Sequence, residues 1–115
     1  NNLSILSYGL SMTVRSHLTS IFQFKFYNTD NLFSFYKYFN KYLPNTIIIN
    51  KYKESLQFML HIKKQSCHII CINIPQHKTV LLKKHGAFAV LDAPILPATL
   101  EEILYYSLDK NKKIS

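Results

Sequence analysis

The residues best able to do chemistry in this sequence include two cysteines, and their spacing argues against a disulfide or a metal site. Cys67 and Cys71 lie four residues apart in an apolar run typical of a strand, where their Cα atoms would be about 13 Å apart. A zinc site would need a closer pair and a second ligand pair, which the scattered histidines do not provide. We therefore expect two buried free thiols, no metal and no cofactor.

The sequence also lacks the residue patterns that other kinds of enzyme active site require. The chain has only two glycines, Gly9 and Gly86, so it cannot form a glycine-rich phosphate loop. Only six carboxylates occur, and no Ser–His–acid order stands out. Glu101 and Glu102 are adjacent, which points them to different parts of a helix surface, and we expect both to be solvated. The sequence therefore predicts no enzymatic activity.

The positive charge of the chain needs a separate explanation. The formal net charge is +8, and all but one of the 14 basic residues are lysines. A chain rich in Lys, Asn and Ile is also what an AT-rich coding sequence would encode. Base-specific readout of nucleic acid depends on arginine, and Arg15 is the only one. Direct nucleic-acid binding by basic helices around Lys63, Lys64, Lys83 and Lys84 stays open as an alternative.

Length and composition indicate one compact domain. A chain of 115 residues with 48% hydrophobic and 17% charged residues is long enough to bury one core and too short for two. No apolar run reaches the roughly 18 residues needed to span a bilayer. Residues 1–8 lack the basic flank and cleavage pattern of a signal peptide. We expect a soluble, cytoplasmic protein.

Strand-like and helix-like patterns alternate along the whole chain. The patterns predict strands at residues 3–8, 23–27, 46–49, 68–72 and 87–91. They predict helices at 11–22, from caps at 29–31 through 43, and at 55–64, 78–85 and 99–108. Five strand-then-helix units imply a five-stranded parallel sheet with helices on both faces, a (βα)5 three-layer α/β sandwich.

The ends and inner faces of these helices can also be predicted. Ser11 is a candidate N-cap, Gly86 ends the fourth helix, and Thr99 with Glu102 forms a capping box unless Pro97 starts the last helix earlier. The predicted inward residues are Val14, Leu18, Ile21, Phe22, Leu32, Phe35, Tyr36, Phe39, Leu43, Leu56, Met59, Leu60, Ile62, Leu100, Ile103, Leu104 and Leu108. We place the domain at residues 1–109 and a charged linker or disordered tail at 110–115.

Several local sequences, in this order and at this spacing, resemble one known family. They are Val-Arg-Ser-His-Leu at 14–18, Pro-Asn-Thr-Ile-Ile-Ile at 44–49, and Gly86-Ala87 followed by Pro94 and Leu100. Nearly the whole chain resembles the receiver domain of two-component response regulators, in particular receivers that precede a LuxR-type helix-turn-helix. The resemblance implies a receiver-like, flavodoxin-like fold with its working site at the carboxyl ends of the strands.

A receiver needs an acidic pair after strand one, an acceptor Asp after strand three, a Ser or Thr after strand four and a Lys after strand five. The resemblance places these four functions, in that order, on Gly9 with Leu10, on Asn50, on Asn73 and on Ala93. No Asp or Glu occurs between residues 1 and 27, so no shift of register restores the acidic pair. The resemblance therefore implies a pocket that binds no magnesium and takes no phosphoryl group.

A receiver-like fold without the residues for magnesium binding and phosphorylation implies a regulatory domain that works through contacts with other proteins. The resemblance implies the N-terminal part of a transcription regulator that pairs with itself or with another response regulator, and that contacts DNA through a separate C-terminal domain. Family members pair through the fourth helix, fifth strand and fifth helix, or through the first and fifth helices. The candidate contact residues are Val80, Leu81, Lys84, Phe88, Tyr105 and Tyr106. Alternatively, Asn50 and Asn73 bind a small ligand or an anion.

Overall fold

The structure, a computed structural model, describes residues 3–22, 25–62 and 66–114, with side chains as far as Asp109. Within these residues, strands and helices alternate throughout. The strands are β1 (Ser4–Tyr8), β2 (Lys25–Thr29), β3 (Thr46–Asn50), β4 (His68–Ile72) and β5 (Ala89–Val90). The helices are α1 (Met12–Ile21), α2 (Leu32–Tyr42), α3 (Tyr52–His61), α4 (Thr79–Lys84) and α5 (Pro97–Ile114), with a 3₁₀ turn at Gln76–Lys78 before α4.

The strands form one parallel sheet in the order β2-β1-β3-β4-β5. The central strands carry the continuous β-branched runs, and Ile47 of β3 pairs in register with Ile69 of β4. Such runs suit strands that are covered on both faces. The predicted fold class, a five-stranded parallel α/β sandwich, is confirmed.

Side chains alternate between two cores because successive residues of a strand point to opposite faces of the sheet. Ile48 and Ile70 face α1 and α5, which contribute Leu18 and Leu104 to the same cluster. On the other face lies a second cluster, formed by the following residues: Leu6, Phe35, Ile47, Ile49, Phe58, Met59, Ile69, Cys71, Ile74 and Leu82. The helices therefore form an α1/α5 layer on one face and an α2/α3/α4 layer on the other.

Three of the predicted helix ends have the expected geometry. The Ser11 side chain accepts a hydrogen bond from the backbone N–H of Val14, and that of Asn31 accepts one from Ser34. Gly86, just after α4, has a φ of 102°, a conformation that glycine adopts without steric penalty. Both N-caps place their helices directly after the turns that leave β1 and β2.

The third helix begins earlier than predicted and turns a different face inward. It starts at Tyr52, immediately after Asn50 and Lys51, rather than at Ser55. Its buried stripe is therefore Ser55, Phe58 and Met59, and Leu60 is 62% exposed instead of inward. The predicted residues Lys63 and Lys64 of this helix lie outside the described residues.

Leu43 is also wrongly predicted as inward. It caps α2 in the left-handed conformation, with a φ of 48°, and is 76% exposed. The chain reverses there towards Pro44, which turns the Leu43 side chain away from the core.

The last helix differs from its prediction at both ends. It starts at Pro97, the alternative that the sequence left open, so Thr99 lies inside the helix and does not form a capping box with Glu102. The Leu96 carbonyl accepts hydrogen bonds from the N–H groups of Thr99 and Leu100 instead. The helix continues to Ile114, and lysine favours both helical backbone and a helix C-terminus. The division at residue 109 stays a prediction, although the backbone of 110–114 is helical.

Two edge strands are displaced or shortened. Strand β2 runs from Lys25 to Thr29 rather than over 23–27, and residues 23 and 24 lie outside the described residues. Strand β5 has two residues instead of the predicted five. One hydrogen bond on each side extends the pairing of β5 with β4: the Phe88 N–H donates to the Ile69 carbonyl, and the Leu91 N–H donates to the Cys71 carbonyl. No helix in the described part of the chain has the length and apolar character needed to cross a membrane.

Candidate functional site at the carboxyl edge of the sheet

A pocket of about 290 Å³ lies at the carboxyl ends of β1, β3 and β4. It opens where the strand order reverses between β1 and β3, the position at which open α/β sheets bind ligands. The described residues that line it are Gly9, Leu10, Ser11, Val14, Asn50, Ile72, Asn73 and Ile95. Four of the five predicted pocket residues thus come together, and none of these lining side chains is ionisable.

Gly9 occupies a position that admits no larger residue without strain. Its φ is 71°, and its N–H donates to the Thr29 carbonyl at 3.0 Å, which ties the end of β1 to β2. A Cβ built at position 9 would lie 2.9 Å from the Cβ of Asn50, closer than real Cβ contacts allow. An aspartate at this position would therefore meet both backbone strain and a clash.

Asn50 and Asn73 connect three strand ends through neutral amide hydrogen bonds. The Nδ2 of Asn50 donates to the Gly9 carbonyl at 3.1 Å, and the Nδ2 of Asn73 donates to Oδ1 of Asn50 at 2.7 Å. Asn73 has a φ of 57°, a conformation that Asn tolerates better than most residues. Asn50, to which the resemblance assigns the acceptor position, is thus an amide whose oxygen and nitrogen both have partners.

Leu10 belongs to the core rather than to a polar site. It is 3% exposed and packs in the α1/α5 cluster with Val14 and Ile72. The floor of the pocket is therefore apolar, and burial of Leu10 stabilises the attachment of α1 to the sheet.

Ala93, the predicted lysine position, is exposed and is not among the residues that line the pocket. Strand β5 ends at Val90, so Ala93 lies three residues beyond it, next to a cis peptide bond with Pro94. Asp92 beside it is exposed. Ile95, which was not predicted from the sequence as a pocket residue, lines the pocket on this side.

No donor set for a cation is present in the part of the chain that the structure describes. There, no three His, Cys, Asp or Glu side chains lie close enough to hold a metal ion. A hard cation such as Mg²⁺ requires several oxygen ligands, and the pocket offers amide groups that are already hydrogen-bonded to each other.

The two cysteines are free thiols, as predicted. Cys71 is buried and Cys67 half-buried, both on the α2/α3/α4 side of the sheet. Burial raises the pKa of both thiols to about 11, and at Cys71 a hydrogen bond with Ser55 opposes this effect only in part. Neither thiol forms an appreciable amount of thiolate near neutral pH, so neither is a competent nucleophile.

The six predicted contact residues divide between two surfaces. Tyr106 is 56% exposed, and its ring lies 5.6 Å from that of Phe88 on the α4–β5–α5 side. Tyr105 is 49% exposed and contacts Phe22, at 5.0 Å, on the α1–α5 side. Val80 at 76%, Leu81 at 38% and the exposed Lys84 lie on α4. We call Val80, Leu81, Lys84, Phe88 and Tyr106 the α4–β5–α5 surface.

His68 and Ser107 form a polar contact that sequence reasoning missed. His68 Nδ1 and Ser107 Oγ are hydrogen-bonded at 2.6 Å, and the imidazole stacks on Phe88 with ring centres 4.1 Å apart. Burial lowers the pKa of His68, which favours the neutral ring in this stack. The contact joins β4 to α5 behind the α4–β5–α5 surface.

The sequence suggested that Glu101 is solvated, but in the structure it pairs with His17. Its Oε1 lies 2.9 Å from Nε2 of His17, so the pair joins α5 to α1. The two residues are 84 positions apart, and no local pattern could have paired them. Both are partly exposed, and such pairs contribute little to stability.

The strand order and the pocket at its reversal define a doubly wound, flavodoxin-like α/β domain of the receiver type. No protein-family model matches the sequence, and no curated protein matches it. Solved structures do match its fold.

The signal receiver domain of a protein described as a Luxo repressor, from Vibrio parahaemolyticus, superposes with a TM-score of 0.80 at 14% identity, over 97% of this chain and 94% of that one. A response regulator from Burkholderia multivorans has a TM-score of 0.67 at 12% identity, over 92% and 94%. The N-terminal domain of an uncharacterized protein from Wolinella succinogenes has a TM-score of 0.64 at 20% identity, over 94% and 98%. The chain thus has the fold of a receiver domain.

Proposed function

We propose that this chain is a receiver-like regulatory domain that takes no phosphoryl group and acts through contacts with another protein. The observation that carries the proposal is the amide network in the pocket, where Asn50 bonds to Gly9 and Asn73 in place of a reactive carboxylate. The partner is a second copy or another response regulator, and the domain is the N-terminal part of a LuxR-type transcription regulator whose DNA-binding domain is separate. Its cytoplasmic location stays a prediction from the sequence.

Chemistry supports the first half of this proposal. An amide cannot act as a carboxylate nucleophile, so Asn50 cannot form an acyl phosphate. Phosphoryl transfer also depends on cations that stabilise charge on the transferred group. Neither the buried Leu10 nor Gly9 supplies a side-chain ligand for such a cation.

We expect beryllofluoride with Mg²⁺, a mimic of the acyl phosphate, to leave the melting temperature of the protein unchanged. A mimic bound at about 100 times its dissociation constant would add about 2.7 kcal/mol to the free energy of unfolding, which a thermal-shift assay detects readily. A phosphorylatable receiver measured in parallel provides the positive control. Stabilisation by the mimic, or a mass increase of one phosphoryl group after treatment with acetyl phosphate, would refute the proposal.

The α4–β5–α5 surface supports the second half. Val80 and Tyr106 expose apolar and aromatic area, and Tyr106 rests on Phe88, which His68 holds in a stack. Exposed aromatic side chains on a rigid support are enriched in protein interfaces.

We expect the double variant Val80→Glu/Tyr106→Glu to weaken self-association, or association with a partner regulator, by at least about tenfold, or about 1.4 kcal/mol. Two carboxylates would have to be desolvated on association. Analytical ultracentrifugation over a concentration series measures the dissociation constant. Phe33→Glu, at an 81% exposed apolar position on α2, is the matched control. Equal weakening by the control, or a wild-type protein that stays monomeric and binds no regulator, contradicts this surface.

The open pocket supports a second candidate function, binding of a small ligand or an anion. Asn73 is exposed at its rim, so its amide is accessible from solvent, and the cavity of about 290 Å³ is the size of a small metabolite. The same thermal-shift assay with phosphate, nucleotides and small metabolites tests this candidate. Stabilisation that Asn73→Ala abolishes would establish it, and no stabilisation by any compound would reject it.

A further inference from the structure

The positive charge of this protein is concentrated in one stretch of the chain. Residues 32–85 contain nine lysines and one acidic residue, Glu54, and this difference equals the whole net charge of +8. The remaining residues contain five basic and five acidic side chains. The nine lysines are Lys37, Lys41, Lys51, Lys53, Lys63, Lys64, Lys78, Lys83 and Lys84.

The fold places the helices of this stretch on one side of the sheet, while Lys63 and Lys64 lie outside the described residues. Residues 32–85 include α2, α3 and α4, which all pack on the same sheet face. The opposite layer is nearly neutral, because the three lysines at the end of α5 are balanced by three acidic residues in the same helix, Glu101, Glu102 and Asp109. A coding bias towards lysine does not explain why acidic residues are scarce in one layer only. The asymmetry therefore indicates a function of the α2/α3/α4 layer.

The described lysines of this layer are available to a partner. Lys37, Lys41, Lys51, Lys53, Lys83 and Lys84 are exposed, and Lys78 is half-buried. In the described part of the chain, none of these seven forms an ion pair with a carboxylate. Lys78 Nζ lies 4.5 Å from the ring centre of Tyr52, which holds it beside the start of α3, near Lys51 and Lys53. Crowded, uncompensated cations repel each other, and a polyanion would relieve this repulsion.

We propose that the α2/α3/α4 layer binds the phosphate backbone of double-stranded nucleic acid without reading its sequence. The domain measures 33 × 30 × 29 Å, close to the roughly 34 Å of one duplex turn, so the layer can follow one turn of backbone. Lysine binds phosphate as a point charge, and Arg15, the one residue suited to paired contacts with bases, lies on α1 in the other layer. This contact goes beyond the proposed regulatory function, which assigns DNA to a separate domain.

The test compares two triple variants of the full chain by fluorescence anisotropy with a labelled 16-base-pair duplex between about 50 and 200 mM salt. Lys53→Gln/Lys83→Gln/Lys84→Gln removes three charges from the layer. Lys110→Gln/Lys112→Gln/Lys113→Gln removes three from the C-terminal segment. Each lost phosphate contact lowers the slope of log affinity against log salt by about 0.9, so we expect a reduction of about 2.7 in the first variant and no change in the second. Circular dichroism checks that both variants are folded.

Three results would overturn the proposal. One is a wild-type protein that does not bind the duplex at 50 mM salt, and another is an equal loss of slope in both variants. The third is tighter binding to polyglutamate of equal total charge, which would point to an acidic protein instead. We expect the duplex to bind more tightly because it carries one charge per roughly 1.7 Å of axis, against one per roughly 3.3 Å in an extended polypeptide. Duplexes of shuffled sequence should bind with equal affinity.

Discussion

Leu10→Asp should unfold the domain or bring it close to unfolding, although it places an acid where receivers have one. Leu10 is 3% exposed and lies among Val14, Leu18 and Ile72 in the α1/α5 core. Loss of a buried leucine costs about 2–5 kcal/mol, and an unpaired buried carboxylate adds several more. Small domains are stable by only about 5–15 kcal/mol in total. Urea denaturation followed by near-ultraviolet circular dichroism measures the loss.

Leu96→Asp is the matched control for this prediction. Leu96 is 57% exposed and precedes α5, where its carbonyl already accepts hydrogen bonds from Thr99 and Leu100. An aspartate there would act as an N-cap, so we expect a change of less than about 1 kcal/mol. A Leu10→Asp protein with wild-type stability, or one that gains stability from Mg²⁺, would contradict the role of Leu10 in the packed core.

Phosphoryl chemistry in this pocket would require acidic residues, and the structure disfavours them at three positions. Gly9→Asp meets a φ of 71° and a contact of 2.9 Å with Asn50, and Leu10→Asp meets the core. Asn50→Asp alone would place a carboxylate against the Gly9 carbonyl, to which the Nδ2 of Asn50 now donates a hydrogen bond at 3.1 Å. Introducing an acid at any one of these three positions therefore works against stability.

Phe58→Ala should lower the free energy of unfolding by about 3–5 kcal/mol. Phe58 is fully buried, and its ring centre lies 5.1 Å from that of Phe35, 5.0 Å from Phe39 and 5.8 Å from Tyr36. These contacts, edge-on with Phe35 and Phe39 and tilted with Tyr36, join α3 to α2, and their loss adds to the cost of the cavity that the substitution leaves. Chemical denaturation gives the value.

Phe33→Ala on α2 removes the same side chain at an 81% exposed position, and we expect it to change stability by less than about 0.5 kcal/mol. Similar losses in the two variants would contradict the assignment of Phe58 to a tightly packed aromatic cluster. A Phe58→Ala protein that loses stability but keeps duplex binding and self-association would separate core packing from both proposed surfaces.

Local sequence patterns were sufficient to predict the order of elements and the class of sheet. Apolar residues recur with a period of two in strands and of 3.6 in helices, so the type of each element can be predicted from its own residues alone. The buried run Ile47, Ile48 and Ile49 predicted a central strand, and Leu100 with Leu104 predicted the inner face of α5. Errors arose where apolar residues surround a helix, as at Leu60: the apolar residues 56, 58, 59, 60 and 62 in and just after α3 allow more than one inner face, and the structure buries Phe58 and Met59 with Ser55.

The sequence by itself determined which groups are missing from the pocket, since no acid occurs before Asp30 and only two glycines exist in the chain. Only the tertiary structure decided what occupies that space: Leu10 turned into the core, and Asn73 bonded to Asn50 across 23 residues. It also decided that His68 meets Ser107 and that the seven described lysines of residues 32–85 belong to the α2/α3/α4 side of the sheet. The physical reason is that sequence periodicity predicts only which side of its own helix or strand a side chain lies on. These contacts depend on how separate helices and strands pack against one another.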